Sequence, residues 1–244
     1  MDEALYAGHP EAYDALYAEK EYDAEVEYVL GVFDRRVHDA AEIDRPRALV
    51  AGCGTGEHAK RLRENGLDVV GMDRYPAMVY LARTKSDAEF CVGALPDLPV
   101  DGEFDLVWFP FTVVQHLPPK DAAQSLRAAT ERLADGGILV FDQITAEHFG
   151  DAPYLKTYPS EEGPYARLTQ VHDVGDGESR YEALVFTPDG EFFVDTHRLF
   201  AHDPEFFAEV CDVLDLSLAR RGWYDEESEP GEEGHTVFVA QKTD

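Results

Sequence analysis

RALVAGCGTGEHAKRLRENG, residues Arg47 to Gly66, is the passage that decides the fold. RALVAG, 47–52, is a short apolar run, the pattern of a buried strand. GEHAKRLRENG is an amphipathic helix that Gly66 closes. Between the two, Gly52, Gly54 and Gly56 carry no Cβ, so a ligand can approach the backbone closely. In an open α/β sheet, ligands bind just beyond the carboxyl end of such a strand. The helix after it offers free N–H groups. DVVGMD, Asp68 to Asp73, reads as the next buried strand. It ends on a carboxylate placed to accept hydrogen bonds from two ribose hydroxyls. Strand, glycine loop, helix, strand and acid in this order point to a nucleoside site.

Outward from this passage the alternation continues. Pro76 opens a helix through Met78, Leu81 and Ala82. AEFCVG is a third strand, FDLVWF (104–109) a fourth, Asp121 to Leu133 a helix, and GGILVFDQI (136–144) a fifth strand. Upstream, the first forty residues read as two helices, the second marked by Tyr22, Val26, Val29, Leu30 and Phe33 at helical spacing. Downstream, ARLTQVHDV, SRYEALVFT and EFFVDTHRLF read as three strands joined by hairpin turns at 175–177 and 188–190. A helix at Pro204 to Leu214 and the strands LSLARRGWY and HTVFVAQK close the chain. The expected fold class is α/β: a Rossmann-like, mostly parallel seven-stranded sheet with helices on both faces, plus a small antiparallel β insertion. One domain over 1–244 is expected, with an N-terminal helical cap over 1–42 and an antiparallel lid over 160–201.

Composition narrows the function. There are 50 acidic and 21 basic residues, a net charge of −29. Such a surface is a poor partner for nucleic-acid phosphates. No run of about 18 apolar residues exists, so no membrane span is expected. The opening residues do not read as a secretory signal, so none is expected, and Cys53, Cys91 and Cys211 have neither disulfide nor metal spacing. A cytoplasmic protein without a metal is expected, open to a homodimeric assembly. The acids are spread through foldable segments, as in a salt-adapted protein; only Glu227 to Gly234 reads as a charged loop.

The loop is not a dinucleotide fingerprint, because Glu57 at the helix start would repel a pyrophosphate. S-adenosylmethionine has no phosphate there, and spacing and sign both favour it. VAGCGTGEHAKRL, VVGMDRYPAMVYLAR, DLP at 97–99, FDLVWFPFTVVQHL and LADGGILVFDQ resemble, in order, the motifs of class I S-adenosylmethionine-dependent methyltransferases. YDALYAEKEYDAEVEYV, the antiparallel insertion and the final FVA strand are similar to small-molecule members, the amino-sugar N,N-dimethyltransferases among them.

The resemblance implies roles. Ala51, Gly52, Gly54 and Gly56 would line the cofactor, Asp73 would hold its ribose, and Arg74 and Met78 would flank its adenine. Leu95 would read an adenine edge, Phe109 would sit beside the methionyl group, and Tyr22 would close over the cofactor. Tyr13 and Tyr17 would meet the substrate. Two positions depart from the family: Ala51 stands where an acid is frequent, and Gly93-Ala94 where Gly-Asp is frequent.

His116, in VVQHL after the fourth strand, is the candidate base, since an imidazole near neutral pH can take a proton from an ammonium or hydroxyl. His172 and His197 are candidate substrate contacts on the lid, where inserts on a rigid scaffold carry specificity. The expected function is methylation of a small-molecule acceptor at nitrogen or oxygen. Two other readings stand beside it, a non-catalytic protein binding adenosylmethionine or a partner, and a nucleotide-dependent oxidoreductase. The charge yields a direct expectation: salt screens self-repulsion, so the melting temperature should rise from dilute buffer to molar KCl. A flat or falling temperature would contradict salt adaptation.

Overall fold

The computed structural model describes residues 3–37, 44–145, 153–225 and 227–242. Three helices lead the chain, α1 (Ala4–Gly8), α2 (Pro10–Leu16) and α3 (Tyr22–Arg36). The alternating region follows: β1 (Arg47–Ala51), α4 (Glu57–Glu64), β2 (Asp68–Asp73), α5 (Pro76–Lys85), β3 (Glu89–Val92), β4 (Phe104–Phe109), a 3₁₀ turn (Val113–His116), α6 (Pro119–Arg132) and β5 (Leu133–Ile144). Four strands come next, β6 (Tyr154–Tyr158), β7 (Tyr165–Gly175), β8 (Glu178–Phe186) and β9 (Phe192–Phe200). Helix α7 (Pro204–Val213), β10 (Leu216–Arg221) and β11 (His235–Lys242) end it.

The main sheet has seven strands in the order β10-β11-β5-β4-β1-β2-β3. Only β11 runs against its neighbours. Strand periodicity explains the two-sided core. Ala48, Val50, Leu106, Trp108, Ile138 and Val140 pack on one face with Val29 of α3 and Leu62 of α4. Leu49, Val107, Phe109, Leu139 and Phe141 pack on the other with Leu126 of α6 and Phe207 of α7. The strand order reverses between β1 and β4, which opens a crevice at their carboxyl ends. Among the described residues no helix is long and apolar enough to cross a membrane.

The structure corrects three expectations. The N-terminal segment holds three helices, because Pro10 starts a new one after Gly8; residues 38–42 of the expected cap lie outside the described residues. Strand β5 begins at Leu133, three residues before the glycine pair thought to open it. The small sheet has four strands in the order β6-β7-β8-β9. Strand β6, YLKTY, is mostly exposed and lacks the alternation that marks a half-buried strand.

One buried cluster braces the crevice. The Asp142 carboxylate, fully buried on β5, accepts the amides of Phe111 (2.8 Å) and Thr112 (2.6 Å). It also accepts the Tyr224 hydroxyl, which itself accepts Trp108 Nε1–H at 3.0 Å. Phe111 and Thr112 both have positive φ, 57° and 61°, uncommon for residues with a Cβ, above all a β-branched one. The carboxylate holds that strained turn in place.

Burial pushes the Asp142 carboxyl from 3.8 up to about 7, although the Tyr224 hydrogen bond opposes it. A folded-state pKa above the unfolded one gives stability that is full below about pH 4 and lost as pH rises towards 7. Asp142→Asn should therefore lose less stability than the wild type between pH 4.5 and 7.5 in denaturant titrations at constant salt. Parallel pH profiles would contradict this assignment.

Candidate functional site

The glycine loop turns sharply at the end of β1. Gly52 and Cys53 both donate their amides to the Met72 carbonyl, at 2.7 and 2.9 Å. Gly52, Gly54 and Gly56 all have positive φ, 73°, 54° and 87°. At Gly52 a Cβ would stand 2.4 Å from Val113 Cγ2, and at Gly56 2.8 Å from the Ala82 methyl. The loop can pass these neighbours only without side chains.

Asp73 ends β2 beside this loop. Its Oδ2 accepts the Gly54 amide and its Oδ1 the Tyr75 amide, each at 2.9 Å. Each oxygen keeps a lone pair for a further donor. Burial raises the carboxyl from 3.8 to about 6, against the Gly54 hydrogen bond and the Arg74 charge. Glu57 opens α4 at the cavity wall. Burial works against its charge, but hydrogen bonds from Lys85 (2.9 Å) and Arg61 (2.6 Å) prevail and hold it below its usual range.

Loop, acid and helix start line one cavity. The N-terminal helices close it through Tyr6, Tyr13 and Tyr22, and the segment after β4 through Phe111 and His116. Gln115, wholly buried, fixes the 3₁₀ turn that carries His116. Its amide donates to the Ile144 carbonyl and accepts the Ile144 amide, both at 2.8 Å. His202 Nε2 contacts the Val114 carbonyl at 3.1 Å.

Of the residues expected at the site, Gly52, Gly54, Asp73, Arg74, Leu95, Tyr13, Tyr22 and His116 line the cavity. Gly56 closes the loop as the residue before α4. The remainder lie deeper or elsewhere. Ala51 and Phe109 are fully buried in the sheet core, and Met78 packs under α1 and α2 with Leu5 and Leu16. Tyr17 lies behind Phe111, ring centroids 4.9 Å apart, and its hydroxyl accepts from Arg167 at 3.2 Å. His197 is buried on β9 beside His116, rings 5.6 Å apart. His172 stands on the opposite face of the small sheet, paired with Glu182 at 3.1 Å. The two-residue period of a strand separates it from Val171, Tyr181 and His197 on the inner face.

Burial, then the His197 and Arg74 charges, push the His116 imidazole from 6.5 down to about 3, which disfavours its protonated form. Tyr6, Phe111, Gln115, Asp142 and Asp195 escaped the sequence reading.

Comparison with known proteins agrees with this geometry. The family described as a methyltransferase domain matches residues 48–137, the stretch from β1 into β5. The chain is 24% identical to the putative methyltransferase YqeM of Bacillus subtilis over 98% of each chain. It is 34% identical to a malonyl-[acyl-carrier protein] O-methyltransferase of Enterobacter lignolyticus, over 41% of this chain and 40% of that protein. Among solved structures it is similar to S-adenosylmethionine-bound CalS10, an amino pentose methyltransferase of Micromonospora echinaspora. The identity is 27%, the TM-score 0.75, and the match covers 95% of this chain and 97% of that one. With the glycine loop, Asp73 and the sheet order in place, the chain belongs to the class I S-adenosylmethionine-dependent methyltransferases.

Proposed function

We propose that the enzyme methylates a small-molecule amine or hydroxyl, with cofactor and acceptor meeting in the cavity between the glycine loop and His116. The observation that carries this reading is the Asp73 carboxylate. It is buried at the cavity wall, anchored by two amides, and has one lone pair left on each oxygen. That is the acceptor pattern a ribose diol fits. Gly52, Gly54 and Gly56 give the cofactor an unobstructed backbone, Tyr22 and Tyr13 cover it, and Arg74 and Leu95 flank the far wall. S-adenosylmethionine supplies an electrophilic methyl group when bound.

The chain's own part is alignment and exclusion of water. Tyr6 lies against both histidines, its ring centroid 6.0 Å from His116 and 4.9 Å from His197. His116 stands on the cavity wall and helps to set the position of the acceptor's nitrogen or oxygen. As a base of pKa about 3 it cannot hold the proton of an ammonium. The acceptor therefore enters uncharged. Glu57 and Asp73 on the walls disfavour a phosphate-bearing acceptor, and the net charge of −29 disfavours nucleic acid. The four-stranded sheet acts as the lid, with His197 on its inner face.

Two substitutions separate the halves of the site. Asp73→Ala should weaken adenosylmethionine binding by roughly 1.5–3 kcal/mol, the scale of hydrogen bonds to a charged group. Wild-type affinity should fall as pH drops below about 6, where Asp73 gains its proton and loses an acceptor. His116→Asn should leave cofactor affinity intact and lower turnover about 100-fold through misalignment. Calorimetry across pH and a turnover assay on a metabolite extract check both. Unchanged binding in Asp73→Ala, or unchanged turnover in His116→Asn, would contradict the assignment.

A further inference from the structure

Behind the acceptor end of the cavity, three side chains from distant parts of the sequence converge. Glu3 precedes α1, His116 ends the 3₁₀ turn, and His197 lies on β9. Each offers one donor atom, and these atoms all lie within 4.8 Å of one another. The donor set is two imidazoles and one carboxylate.

A fourth residue orients the set. Asp195, 1% exposed, has its Oδ1 occupied by the Leu5 amide at 2.9 Å. Its Oδ2 stands 2.5 Å from His197 Nε2. This close approach holds the His197 ring in place, and Asp195 Oδ2 itself has no hydrogen-bond partner. The Nδ1 of His197 is likewise buried and has no hydrogen-bond partner. A buried polar atom left unpaired is costly, and His197 is one of the three residues of the cluster. A carboxylate that holds the ring of a histidine is the usual outer-shell arrangement of metal sites.

We propose that Glu3, His116 and His197 bind a single divalent cation of the zinc class, with Asp195 holding the His197 ring in place. The donors select the metal: imidazole suits zinc and its neighbours, whereas magnesium and calcium take all-oxygen shells. Tetrahedral zinc spaces its ligand atoms about 3.3 Å apart, given bonds of roughly 2.0–2.2 Å. The cluster needs only to tighten, and Glu3, before the first helical turn, has the freedom to move. Arg74 stands 3.7 Å from Glu3 and is over half exposed, so it can yield to a cation. Three protein ligands leave a coordination position open, and Glu3 and His116 both line the cavity. There the cation would hold the acceptor's nitrogen or oxygen. That role rests on the methyl-transfer reading; the binding itself does not.

The test uses the full chain, stripped with chelator and then dialysed against buffered zinc in molar KCl to suppress loose binding to surface acids. The expected result is one zinc per chain by elemental analysis, and visible absorption of a low-symmetry site when cobalt(II) replaces zinc. Glu3→Gln and His116→Asn should each abolish retention. Asp195→Asn should weaken affinity about 10–100-fold, because the charged partner beside the His197 ring is lost. Circular dichroism confirms that each variant is folded. His172→Ala, on the opposite face of the small sheet, should change nothing. Absence of stoichiometric zinc in the wild type, or zinc retained equally by Glu3→Gln and Asp195→Asn, overturns the proposal. Adenosylmethionine binding is measured on the same samples, so intact cofactor binding without zinc would refute the cation and leave the methyl-transfer reading standing.

Discussion

The Met72 carbonyl, accepting both the Gly52 and Cys53 amides, is the contact on which the site depends. It ties the end of β1 to the end of β2 and turns the glycine loop across the tip of the sheet. The same turn delivers the Gly54 amide to Asp73 and presses Gly52 against Val113. One face of the loop thus meets the Asp73 carboxylate. Its other side meets the turn that carries His116. A Cβ at position 52 would overlap Val113 and force the two halves apart.

Other buried polar groups hold the walls around that turn. Asp142 stabilises the left-handed backbone at Phe111 and Thr112, and Gln115 bonds the next turn to β5 on both its edges. Glu25 and His58, both buried, meet at 2.7 Å beneath Tyr22 and anchor α3 to the start of α4. Lys20 pairs with the same Glu25, and its ammonium lies 4.8 Å from the Phe111 ring centroid. The aromatic cover over the cavity is therefore fastened to the scaffold by satisfied polar contacts as well as apolar packing.

The parallel half of the fold was legible because each element carries its own local signal. Apolar runs of strand length alternate with helical periods, and Gly52 and Asp73 stand where strands end. Position along the chain also placed His116 at the crevice. What was not legible depends on contacts between distant segments. Tyr6 and His197 meet only because α1 docks on the small sheet, through the Leu5 amide and Asp195, 190 residues apart. Neither the depth of His116 nor its lowered pKa can be read from VVQHL. His172 and His197 look alike in sequence, and only strand register puts them on opposite faces. Strand β6 was missed because pairing with β7, and not its own hydrophobic pattern, makes it a strand.

The central claim is that cofactor and acceptor meet between Asp73 and His116, on either side of the glycine loop. A crystal structure of the protein soaked with S-adenosylmethionine in high salt tests it most directly. The account predicts the ribose hydroxyls within about 3 Å of both Asp73 oxygens, with the methyl group directed towards Tyr6 and His116. A cofactor bound elsewhere, or in this cavity with its ribose away from Asp73, would contradict it.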